Sequence, residues 1–108
     1  MSLPIKNLVM YQGDDCVYRF RYKAQHQVVD LSTFVIVLEC SIPELSKQAI
    51  IPNPSDGEYQ FEYSREETNI KNRSTAQYEV AFYPLGLDGP KNTKYRGSFM
   101  FEKEVTND

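Results

Sequence analysis

The sequence has no tryptophan, one histidine and two cysteines, and each shortage closes a route. The single imidazole, His26, cannot build a His-rich metal centre. Cys16 and Cys40 have no Cys-x-x-Cys spacing, so a zinc site would need ligands recruited from elsewhere. No EF-hand spacing links Asp14, Asp15 and Asp56 into a calcium loop. Nucleophilic catalysis needs a base beside its nucleophile, yet His26 lies among glutamines in a stretch that reads as a hairpin loop. Neither a G-x-S-x-G elbow nor a phosphate-cradling G-x-x-x-x-G-K-[ST] loop is present. No catalytic residue, cofactor or metal is therefore expected.

Long apolar runs are also missing. Nothing approaches the roughly 18–20 residues of a membrane span. The N-terminus lacks a basic region followed by an apolar run, so no secretory signal is expected and synthesis in the cytoplasm is implied. Met1, Ser2 and Leu3 read as a cloning remnant. The formal net charge of −3 disfavours a nucleic-acid partner, because duplex binding needs many cations to displace counterions.

What the chain does have is aromatic side chains, six Phe and eight Tyr in 108 residues. Rings bury roughly 150–250 Å² each, so a few facing inward dominate a core of this size. The length suits one domain, and no repeat, linker or low-complexity tract divides residues 1–108. Residues 104–108 read as a frayed polar tail.

The dominant period is two, the signature of strands with opposite faces. Cys16, Tyr18, Phe20 and Tyr22 share one face of an expected strand over residues 16–23. Val17, Arg19, Arg21 and Lys23 share the other. The same alternation runs through residues 58–63, 75–83 and 94–103, and more briefly through 5–11. Residues 34–40 are almost continuously apolar and β-branched, as expected of a strand covered on both faces or at an interface. Pro43, Pro52 and Pro54 forbid a central strand across their positions, leaving a short edge strand at Ala49-Ile50-Ile51. Asp14–Asp15 reads as turn chemistry, with Gly13 permitting positive φ. Ser64 with Glu67 three residues on fits a capping box over a single turn. About seven or eight short strands with frequent turns point to an all-β antiparallel sandwich.

Three surface features carry the functional expectation. Arg19, Arg21 and Lys23 form a candidate partner-binding face, although Glu58, Gln60 and Glu62 on a second strand offer ordinary cross-strand charge pairs. Tyr11 and Tyr83 are outward by alternation, and a carbohydrate-binding or adhesion module would need such rings. Cys16 and Cys40 read as small buried hydrophobes, with a cross-strand disulfide as the alternative.

An ordered set of segments also resembles a known family. Gln12-Gly13-Asp14-Asp15 opens an aromatic strand, and Val29-Asp30-Leu31-Ser32 precedes the next β run. Asp56-Gly57-Glu58-Tyr59, Ser64-Arg65-Glu66-Glu67-Thr68, Tyr78-Glu79-Val80, Asp88-Gly89 and Arg96-Gly97-Ser98-Phe99 follow in order. Together these resemble immunoglobulin-like domains of phage and prophage tails, similar to the N-terminal domain of siphophage baseplate upper proteins. The Pro-rich stretch 42–54 departs from that pattern, and the chain carries one domain where those proteins continue into more. The resemblance implies a non-catalytic virion component that assembles with other phage structural proteins or with itself, as a homo-oligomer, with no membrane partner.

Overall fold

A computed structural model describes residues 3–70, 74–84 and 86–103; the tail expected at 104–108 lies outside these. The described chain is all β. Its strands are β1 (Leu8–Gln12), β2 (Cys16–Arg21), β3 (Lys23–Ala24), β4 (Gln27–Val28), β5 (Val35–Cys40), β6 (Lys47–Gln48), β7 (Ile50–Asn53), β8 (Glu58–Tyr63), β9 (Thr75–Tyr83) and β10 (Asn92–Lys103). Two single 3-10 turns, Pro43–Leu45 and Pro54–Asp56, occupy the Pro-rich stretch. Among the described residues no helix is long and apolar enough to cross a membrane.

One sheet has the order β1-β10-β9-β5-β6 and the other β2-β8-β7, with β3 and β4 forming a separate hairpin. Inward rings from the two sheets meet across the gap. Phe20 lies 5.7 Å from Tyr95, Tyr18 lies 5.8 Å from Phe99 and Tyr59 lies 5.5 Å from Phe82, centroid to centroid. Ile36, Leu38 and Val80 complete the floor of the core with no exposed surface.

Two expectations are corrected here. Ten strands form among the described residues rather than seven or eight, because the polar loop contributes β3 and β4 and the Pro-rich stretch β6, two-residue pieces that are too short to show a period. The sheets are also not wholly antiparallel. β1 runs parallel to β10, with Leu8 beside Phe99 and Gln12 beside Lys103. The turn after β1 delivers the chain to the other sheet instead of folding it back on β1, so β1 finds its partner at the far end of the sequence.

That turn is firmly held. Gly13 takes φ 84°, and its N–H donates to the Thr68 hydroxyl (3.1 Å), which donates in turn to the Asp14 carbonyl (2.8 Å). The Gln12 side-chain amide donates to the Ile70 carbonyl. Thr68 is fully buried at this junction. Its own turn is the expected capping box: Ser64 N–H donates to Glu67 Oε1 (2.9 Å) and Glu67 N–H donates to Ser64 Oγ (3.3 Å).

The segment before β1 lies along β10 under tight constraint. Lys6 N–H donates to the Arg96 carbonyl (2.8 Å), Arg96 N–H to the Pro4 carbonyl (3.1 Å), and the Tyr78 hydroxyl to the Lys6 carbonyl (2.5 Å). Gly97 makes this possible, since a Cβ there would overlap the Lys6 carbonyl. Gly97→Ala is therefore expected to cost about 1–3 kcal/mol, as overpacking does. Denaturant unfolding should show the loss, and hydrogen exchange should show it localised to the Lys6 and Arg96 amides.

Candidate functional site

The outer face of the three-stranded sheet carries the cationic residues. The β2–β8 register sets Val17 against Glu62, Arg19 against Gln60 and Arg21 against Glu58. Arg21 is neutralised there, its guanidinium 2.5 Å from Glu58 Oε1. The Gln60 amide donates to Glu62 Oε2 (2.8 Å). Arg19 makes no ion pair among the described residues. Lys23 has left this sheet for the base of the β3–β4 hairpin, opposite Val28. The structure thus joins Arg19 and Arg21 on one strand, at a shallow depression of about 260 Å³ shared with Glu58 and Gln60, and sets Lys23 apart. Chemically this is a mixed polar surface with Arg19 as its unneutralised cation.

The groups weighed for chemistry have structural employment. Asp15 accepts the Arg65 backbone N–H (2.7 Å). Glu67 closes the capping box and receives Lys47 at 2.6 Å; the hydrogen bond from Lys47, then that from the Ser64 N–H, holds its carboxyl below the usual range. His26 is exposed at the hairpin tip, where Gln25 and His26 both take positive φ, 53° and 66°. Cys16 and Cys40 are free and half-buried, and burial pushes both thiols up, away from the reactive thiolate. Among the described residues no group of three or more His, Cys, Asp and Glu is placed to hold a metal ion.

The two outward tyrosines do not form a platform. Tyr11 lies beside Glu102 at one end of the five-stranded sheet, whereas Tyr83 is half-buried beside Val35 at the other. Around Tyr11, however, lies a surface that reasoning from single strands missed. Ile5 (63% exposed), Tyr11 (50%), Met100 (48%) and Val9 (41%) gather on the outer face of β1 and β10. Alternation marks Tyr11 and Met100 as outward; only the parallel pairing brings them together.

No family model matches this chain, and no curated protein matches it.

Two measurements follow from these environments. A double-mutant cycle on Arg21→Ala and Glu58→Ala should give a coupling below about 1 kcal/mol, since both side chains are largely solvated. The buried phenols predict alkaline sensitivity. Burial pushes Tyr59 and Tyr78 up to about 12 from the usual 10.0, and also raises Tyr18, Tyr63 and Tyr95. The unfolded chain then loses protons first. Stability should be unchanged by these groups below pH 10 and fall as pH rises from 10 through 12. Urea midpoints across that range, with phenolate absorbance, check this.

Proposed function

We propose that the chain is a non-catalytic structural component of a phage or prophage tail, an immunoglobulin-like domain acting through protein–protein assembly. The observation that carries this reading is the exposed apolar cluster of Ile5, Val9, Tyr11 and Met100 on one sheet face, the kind of surface that marks an interaction site on a soluble domain. The strand order supports the immunoglobulin-like part. β10-β9-β5-β6 follows the G-F-C-C′ order of variable-type domains, and β2-β8-β7 follows B-E-D. Both cysteines are free, and the buried positions of β5, the strand that carries tryptophan in antibody domains, hold Ile36 and Leu38. Three observations favour binding over catalysis: the imidazole at a hairpin tip, the raised thiols, and the engagement of Asp15 and Glu67 in backbone bonds.

The alternative, a carbohydrate-binding or adhesion module, rests on the half-exposed ring of Tyr11. Tagging the protein in the organism that encodes it, inducing particle production and sedimenting the particles separates the two. Recovery of the chain in purified particles at fixed stoichiometry is the expected result. Absence from particles, together with Tyr11-dependent binding to a glycan array, would overturn the tail reading in favour of the module.

A further inference from the structure

The outer face of β1 and β10 is complementary to itself. The parallel register arranges it as successive rungs: Ile5 with Arg96, then Val9 with Met100, then Tyr11 with Glu102. Asn7 falls between the first two beside Ser98, whose N–H donates to Asn7 Oδ1 (3.0 Å). One end of the face is thus basic and the other acidic, with apolar side chains at both. Arg96 and Glu102 are exposed, and neither makes an ion pair among the described residues. Arg96 stands beside Glu79 in the β9 register, and Lys91 lies 3.0 Å from Glu79 and 3.7 Å from Glu39.

We propose that this face binds a second copy of the chain, stacked sheet on sheet with its strands antiparallel. This deepens the assembly reading by naming a partner and a surface. A two-fold axis lying in the face and across the strands reverses the order of the rungs. Arg96 then meets Glu102 of the second copy and Glu102 meets its Arg96, while Tyr11 meets Ile5 and Val9 meets Asn7, each twice. An isologous interface requires such self-complementarity. Sheets stack about 10 Å apart, within reach of an arginine and a glutamate extended towards each other.

A depression of about 270 Å³, lined by Ile5, Asn7, Gln77, Arg96 and Ser98 among others, opens at the rung where the second copy's Tyr11 arrives. The ring enters it beside the Arg96 guanidinium, an arrangement that favours cation–π contact. Pairing through the β1 edge fits less well. The Val9 carbonyl already accepts the Tyr18 hydroxyl (2.7 Å) and the Tyr11 carbonyl accepts the Asp14 N–H (3.3 Å).

Charge reversal in the purified chain tests the proposal. Sedimentation velocity over a concentration series should show a monomer–dimer equilibrium that weakens with salt. Arg96→Glu or Glu102→Arg alone sets like charges together twice per dimer and should raise the dimer Kd by about tenfold or more. The two reversals in one chain restore opposite charges and should bring Kd back to within about threefold of the native value. Both residues are exposed, and circular dichroism with thermal unfolding verifies that each variant folds. A monomer at the highest soluble concentration overturns the proposal. A dimer indifferent to the single reversals, or one weakened further by the double reversal, also overturns it. These outcomes leave the particle-recovery result untouched, so failure of this face and failure of the tail reading are distinguishable.

Discussion

A phenol can be buried only if its hydroxyl finds a partner, and this requirement organises the molecule. The core is built from rings on both sheets, and several are tyrosines. Tyr59 and Tyr95 share a hydrogen bond of 2.9 Å in the middle of the sandwich. The Tyr63 hydroxyl donates to the Leu45 carbonyl (2.7 Å), which fixes the 3-10 turn over the core. The hydroxyls of Tyr18 and Tyr78 reach the Val9 and Lys6 carbonyls and hold the N-terminal segment down. A phenylalanine at these positions would fill the same space and leave the loops unanchored.

The rings also determine how the sandwich is closed at its sides. Lys6 places its ammonium 4.6 Å from the Tyr95 centroid and 5.2 Å from that of Phe20. Lys94 covers Tyr22 and Phe82, and Lys47 covers Tyr63 while pairing with Glu67. Lysine stems lie along apolar surface while the charge stays near water, and the ring faces attract that charge. Cations that a composition counts only as charge are thus part of the seal around an aromatic core.

The outer faces of the two sheets differ in a way that bears on function. On the smaller sheet Arg21 is matched within the face by Glu58, and Arg19 beside it makes no ion pair among the described residues. On the larger sheet Arg96 and Glu102 stand at opposite ends of the strip that carries Ile5, Val9, Tyr11 and Met100, and neither makes an ion pair among the described residues. Unmatched charges around exposed apolar surface are what a specific interface uses for orientation. The weight of the assembly reading therefore moves from the strand of arginines to the face of β1 and β10.

Much of this fold was legible in the residue order. Alternation placed residues 58–63 and 75–83 at the bounds of β8 and β9, turned Tyr18 and Phe20 inward and Arg19 and Arg21 outward, and the Ser64–Glu67 spacing announced its turn. These features are local, and a period of two encodes which face a side chain takes. It does not encode which strand lies alongside. The parallel union of β1 with β10, the separation of Lys23 from Arg19 and Arg21, and the need for glycine at position 97 all depend on segments distant in sequence. The sequence by itself therefore determined the faces and the turns of this protein. Tertiary structure decided which faces became neighbours, because strand pairing is fixed by how the whole set of rings can be buried at once and not by any one strand's pattern.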